Sequence, residues 1–146
     1  MDELDDRIVE LLRRDGRASN ARIARDVGVS EGTVRRRLKR LIDDEVMHVA
    51  AVPNMEKLGY TTSALIGIQT DPGQVDSVAD AIAELDQVHY VAITTGSFDI
   101  FVWAAVSSSE QLGKFIRSSL GTISGVNRTE SFVNLNIRKG AYGLML

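Results

Sequence analysis

Apolar residues recur at helical spacing through the first 43 positions, in three blocks. Leu4, Ile8, Leu11 and Leu12 predict an amphipathic helix over 3–14, ended by Gly16. Ser19 and Asn20 offer N-cap side chains for a second helix, 20–27, with Ile23, Ala24 and Val27 facing inward and Gly28 as the left-handed residue that ends it. Ser30 caps a third helix, 31–43, whose inner stripe is Val34, Leu38, Leu41 and Ile42. Only Gly28-Val29-Ser30 separates the second and third helices. Two helices crossing that closely need a small residue at Ala24, positive φ at Gly28 and an apolar wedge at Val34, which is the spacing of a helix-turn-helix.

Beyond Asp44-Glu45 the period changes. The apolar stretch 46–52 reads as a strand broken by Pro53-Asn54, and a short turn at 55–57 with Leu58-Gly59-Tyr60 leads into a second pattern. That pattern is strand 62–70, helix 74–85, strand 88–95, strand 98–107, helix 109–120 and strand 126–137. The order βαββαβ describes a ferredoxin-like sandwich. The chain is therefore read as α+β: a winged helix-turn-helix over 1–45, a strand and linker over 46–61, and a ferredoxin-like domain over 62–146. Strand 98–107 has apolar residues on both faces, Phe101, Trp103 and Ala105 on one and Ile100, Val102, Ala104 and Val106 on the other. An antiparallel sheet covered by helices on one side ordinarily shows a polar open face. Something must cover this one. The N-terminal helices already have a core of their own, so the same sheet of a second subunit is the expected cover, making a homodimer.

Composition narrows the chemistry. Hydrophobic residues make up 44% and charged residues 25%, a globular balance. No apolar run approaches the roughly 18–20 residues that span a bilayer, and the opening MDELDDR is charged, so neither a membrane nor a secretion signal is expected and the reading is cytoplasmic. There is no cysteine, and His48 and His89 lie far apart without carboxylate clusters, so no metal and no cofactor is expected. Net charge is −3, but residues 1–50 hold eleven basic and eleven acidic side chains while residues 51–146 hold six and nine. Five bases are packed into 35–40. A charge run on a surface helix ordinarily marks a solvated face; this one lies on the second helix of a turn-coupled pair, the helix that enters the major groove. Ser30, Glu31, Thr33, Arg35, Arg36, Arg37, Lys39 and Arg40 are accordingly the candidate contacts to double-stranded DNA. Thr33 and either Arg36 or Arg37 are placed to touch base edges, since arginine binds guanine O6 and N7 in bidentate fashion. The other bases would neutralise phosphates.

Together these features resemble the Lrp/AsnC (feast/famine) transcriptional regulators, over nearly the whole chain. The resemblance is carried by Leu4-Asp5-Asp6-Arg7-Ile8, Asp15-Gly16-Arg17, the recognition helix from Ser30 to Leu41, Leu58-Gly59-Tyr60 and Thr95-Gly96-Ser97-Phe98-Asp99. It implies dimers through the βαββαβ domain, further assembly into tetramers or octamers, and an amino acid or related effector held between subunits near the Gly-x-x-Asp loop and the last strand. The matching effector residues are Gly96, Ser97, Phe98 and Asp99, with Thr129 and Ser131 in the strand. Loop amides suit an α-carboxylate and Asp99 suits an α-ammonium; on local sequence alone, Asp99 as a hairpin-closing residue is an equal reading. Three positions depart from the family pattern: Phe98 stands where tyrosine is frequent, Asp44-Glu45 where a glycine is common, and Arg22 where a capping-box acid would follow Ser19. The tail 140–146 is unusually apolar and is expected to pack on a neighbouring surface. Two other function classes fit parts of the pattern. Siroheme decarboxylases share this architecture, but no Arg or Lys lies between Lys57 and Lys114 to meet a tetrapyrrole's carboxylates, which leaves His89 as an ordinary strand residue. An effector-independent architectural DNA-binding protein would bind by charge, and the neutral helical module argues against it.

Overall fold

The computed structural model describes residues 1–138 and divides into two compact units, 1–51 and 52 onward. The apolar tail at 140–146 lies outside the described residues.

In the first unit the three helices form where the apolar periodicity places them: α1 (Glu3–Arg14), α2 (Asn20–Val27) and α3 (Glu31–Asp43). Ile8 and Leu12 of α1, Ile23, Ala24 and Val27 of α2, and Val34 and Leu41 of α3 make the buried core. Gly28 adopts φ 78°, and its N–H returns to the Ala24 carbonyl to close α2. Ser19 and Ser30 cap α2 and α3 by accepting from the backbone N–H groups of Arg22 and Thr33. Ile42, expected inside, is 38% exposed because it falls to one side of the Val34–Leu41 stripe. The end of α3 is closed by paired bonds, Glu45 N–H to the Ile42 carbonyl and Val46 N–H to the Leu41 carbonyl. Glu45 thereby takes the left-handed conformation, φ 55°, that a glycine would adopt freely. The strand expected over 46–52 does not form. Residues 47–54 have no regular element and, among the described residues, no neighbouring strand to bond with, so high β-propensity there finds no ladder.

The second unit is a four-stranded antiparallel sheet in the order β2-β3-β1-β4, built from β1 (Thr62–Thr70), β2 (Val88–Ile93), β3 (Ile100–Val106) and β4 (Val126–Val133). Helices α4 (Val75–Ala83) and α5 (Ser109–Ser118) cover one face. Val78 and Ile82 of α4 and Leu112 and Phe115 of α5 pack on Ala64, Ile66 and Ile68 of β1 and Ile100, Val102 and Ala104 of β3. β4 ends at Val133, opposite Ala64 and earlier than the apolar pattern suggested; the Asn134 N–H still reaches the Ser63 carbonyl, one residue from the start of β1. The opposite face is not wholly bare, which corrects the expectation from strand alternation. Trp103 and Ala105 are already 8% and 2% exposed, and Met55, Tyr60 and Ile137 help wall a cavity of about 380 Å³ over them. Further along that face Leu65 and Phe101 are half-buried, while Tyr90 and Phe132 stand exposed. Among the described residues no helix is long and apolar enough to cross a membrane.

Candidate functional site

Helix α3 starts at a doubly bonded cap. Ser30 Oγ accepts from the Thr33 N–H at 3.2 Å and meets Thr33 Oγ1 at 2.9 Å, so both hydroxyls expected at the DNA are also structural. The basic side chains differ in what they hold. Arg35 pairs with Glu31 at 3.1 Å and Lys39 with Asp43, each within α3 and each well exposed. Such exposed pairs are worth only about 0.3–0.5 kcal/mol and exchange readily for phosphate. Arg40 Nη2 donates to Asp5 Oδ2 at 2.6 Å, and Arg37 Nη1 donates to Asp5 Oδ1 at 3.2 Å and to Asp2 Oδ2 at 2.5 Å. Arg36 is exposed and makes no ion pair among the described residues. Sequence reasoning grouped Arg36 and Arg37 as alternatives for base reading; the structure separates them.

Asp5 was missed. Its carboxylate is fully buried, and with Asp2 it makes a reciprocal cap of α1: the Asp5 N–H donates to Asp2 Oδ1 and the Asp2 N–H to Asp5 Oδ2, both at 3.0 Å. The Asp5 backbone N–H and the Arg37 guanidinium hold the Asp2 carboxyl below its ordinary value of 3.8, and Asp2 in turn raises Arg37. A signal was available. Asp5 stands three residues before Ile8 and seven before Leu12, on the buried stripe, where a carboxylate requires a cationic partner.

In the second unit the Gly-x-x-Asp loop is folded back on the sheet. The Phe98 ring lies on Gly67 so closely that a Cβ there would sit 2.7 Å from it, and it meets Phe101 edge-on with centroids 5.5 Å apart. The Thr94 N–H bonds the Asp99 carbonyl and the Asp99 N–H the Ile68 carbonyl. Asp99 Oδ2 accepts from the Thr70 N–H at 2.8 Å and from the Thr70 hydroxyl at 3.4 Å, which latches the end of β1. The Ser97 and Phe98 carbonyls accept from Gln69 Nε2 and the Thr94 hydroxyl. Gly96 takes φ 113°, and a Cβ there would meet nothing within 4 Å. Thr129 and Ser131 pair with Ile68 and Ile66, whose side chains face the helices, whereas Phe98 lies on the other face over Gly67. The six expected effector residues therefore do not gather on one face of this chain. His89 sits in a bulge of β2, its ring edge-on to Tyr60 at 6.5 Å and its Nε2 buried with no partner among the described residues; burial lowers its pKa.

Comparisons with known proteins agree with this division. Residues 1–42 match the AsnC-type helix-turn-helix domain, and residues 63–144 match the Lrp/AsnC ligand binding domain. An uncharacterised HTH-type transcriptional regulator of Pyrococcus furiosus is 39% identical over 143 residues, 97% of each chain. The HTH-type transcriptional regulator FL11 of the same organism is 33% identical over 140 residues, 95% of this chain and 92% of its own. Among solved structures, AsnC of E. coli superposes with a TM-score of 0.87 at 26% identity over 95% of both chains. A transcriptional regulator of Neisseria meningitidis, solved as its L-Met complex, shares the fold with a TM-score of 0.88 at 23% identity, covering 95% of this chain and 92% of that one. A helix-turn-helix whose second helix carries the bases, joined to a βαββαβ unit with a Gly-x-x-Asp loop, thus has its counterpart at full length, and the chain belongs to the Lrp/AsnC family of transcriptional regulators.

Proposed function

We propose that the protein is a cytoplasmic, amino-acid-responsive regulator that works as a homodimer or a larger assembly of dimers, reading double-stranded DNA with α3 and sensing its effector at the 94–99 loop. One observation carries the effector reading: Asp99 spends one carboxylate oxygen, Oδ2, on the Thr70 latch, while Oδ1 has no bond among the described residues and lies beside a loop whose Ser97 and Phe98 carbonyls are already bonded. A zwitterion suits such a site. Its ammonium is drawn to Asp99 and its carboxylate to loop amides, with no basic side chain required. The L-Met bound by the Neisseria relative supports the ligand class. Thr129 and Ser131, on the helix-covered side of β4, take part only if a second subunit brings its own loop to them. The partly exposed apolar face bearing Tyr90, Phe101 and Phe132 supports self-association. His89 is half-buried, and burial lowers its pKa, which supports a packing role and not proton transfer to a polyanionic substrate.

The test is a thermal-shift screen of the twenty amino acids, followed by titration of the best one against its deaminated analogue. The amino acid raises the melting temperature and the analogue does not, because a ligand at 100 times its dissociation constant adds about 2.7 kcal/mol. Equal shifts from both, or none from any amino acid, would sink the effector reading. Light scattering tests assembly separately: a mass equal to one 16.0 kDa chain at micromolar concentration would end it.

A further inference from the structure

The five basic side chains of α3 are not interchangeable, and two measures sort them. The first is angle. At about 100° per residue, Arg36 stands about 200° around the helix from the buried Val34, at the centre of the outward face, while Arg37 stands only about 60° from it. The second is commitment. Arg37 is 24% exposed and holds a carboxylate that has no exposure at all, whereas Arg35 and Lys39 hold exposed partners at i,i+4. An exposed pair opens at little cost, but withdrawing Arg37 would strip a buried carboxylate of part of its compensation.

Gly32 adds an independent observation. It lies one turn before Arg36, so both share the outward face. Glycine is the poorest helix former after proline, yet nothing in the fold demands it here: an added Cβ would meet only Ser30 Oγ, at 4.0 Å. Its backbone has no positive φ to accommodate. A helix face that carries no side chain at that point can come closer to another surface.

We propose that Arg36 is the specificity-determining residue of α3, with Gly32 allowing the close approach that lets it reach a base edge, and that Arg37 is a positioning residue which stays on Asp2 and Asp5 while DNA is bound. This rests on the reading that α3 enters the major groove. Arg36 selects guanine through O6 and N7; Arg35 and Lys39 exchange their own partners for phosphates; Arg37 and Arg40 fix the pitch of α3 against α1.

The experiment starts from a randomised duplex library, from which the full-length protein selects its preferred sequence. Affinities for the selected duplex and for a scrambled duplex of equal composition are then measured across a salt series. Arg36→Ala lowers the selected-over-scrambled ratio by about tenfold to a hundredfold and leaves the melting temperature unchanged. Arg37→Ala lowers the melting temperature and weakens both duplexes by the same factor, with the slope of log affinity against log salt unchanged because no phosphate contact is lost. Gly32→Ala raises the melting temperature yet weakens the selected duplex. The inference is overturned if Arg37→Ala erases the sequence preference while Arg36→Ala keeps it, or if Arg37→Ala shallows the salt slope by about one. Equal loss on both duplexes for Arg36→Ala also overturns it, and unchanged affinity in Gly32→Ala removes the close approach. If the unaltered protein enriches no sequence, the DNA-reading function itself fails, which is distinguishable from failure of the Arg36 assignment.

Discussion

Replacing Asp5 by alanine tests the helical unit at its most concentrated point. The carboxylate is fully buried and accepts three donors: the Asp2 N–H at 3.0 Å, Arg37 Nη1 at 3.2 Å and Arg40 Nη2 at 2.6 Å. Breaking a fully buried ion pair from one side costs about 3–5 kcal/mol, because the surviving charge is stranded. Here neither survivor is stranded. Arg40 is 49% exposed and regains water, and Arg37 keeps Asp2. The expected cost therefore falls to about 2–3 kcal/mol, of which about 1 is the lost half of the reciprocal cap and the rest the charge-assisted bonds and the small void. For a unit this small that is a drop in melting temperature on the order of 10–20 °C. Circular dichroism at 222 nm follows all the helices, while the chain's one tryptophan, Trp103, lies in β3 and reports the sheet unit. Asp5→Ala should move the helical transition and leave the Trp103 transition in place. A loss below about 0.5 kcal/mol, the value of an exposed pair, would refute the reasoning.

Further outcomes follow from other positions. Glu45→Gly should stabilise the helical unit by about 0.5–1 kcal/mol in urea unfolding, since glycine adopts the left-handed conformation without a Cβ penalty and gives back part of the gain as unfolded-state entropy. Gly67→Val should lift Phe98 off the sheet, lowering the stability of the second unit and abolishing any effector-induced thermal shift together. Asp99→Asn retains an oxygen for the Thr70 N–H but loses its charge, so the fold should persist by circular dichroism while amino-acid binding weakens at least tenfold; unfolding with unchanged residual affinity would make Asp99 a latch only. His89 titrates below its ordinary 6.5 in the folded chain, so the unfolded chain binds the proton first: stability should decline as pH falls below 6.5 and level off at the folded value, and His89→Gln should remove that slope. Asp2 behaves as a depressed acid: its contribution is present above 3.8 and is lost as pH falls through its lower folded value, so Asp2→Asn should flatten the acid limb of the unfolding profile.

What could be read from the sequence divides along physical lines. Helices α2 and α3 were legible to the residue because cap, apolar period and stop agree at each end: Ser19 with Gly28, and Ser30 with the stripe from Val34 to Leu41. The βαββαβ order was legible for the same reason, and β1 to the residue, but β2, β3 and β4 are shorter than their apolar patterns, since a strand's length depends on its neighbours. β4 stops at Val133, opposite Ala64 near the start of β1, and that pairing is held in another segment. The stretch 46–52 shows the converse: its residues favour a strand, but a strand needs a ladder, and none is present among the described residues. The Gly-x-x-Asp loop was located correctly, but its direction was hidden, because the signal lay at Gly67, thirty-one residues before the Phe98 ring that rests on it.

The basic run at 35–40 makes the general point most sharply. From sequence it is five positive charges on one helix, and the natural reading gives all of them to DNA. The structure assigns two of them to Asp5, a residue whose meaning depends on lying beneath α3 as well as on the buried stripe of α1. A carboxylate on an apolar stripe announces that some cation is spoken for without saying which. Only the fold supplies the pairing, and by taking Arg37 and Arg40 it leaves Arg36 as the arginine at the centre of the outward face. The same cluster that stabilises the helical unit thus engages Arg37 and Arg40 and leaves Arg36 with no ion pair among the described residues, which is what the proposal for Arg36 rests on. Stability and specificity are therefore separable here: a variant at Asp5 should lose the first and keep the preferred sequence, and a variant at Arg36 should do the reverse.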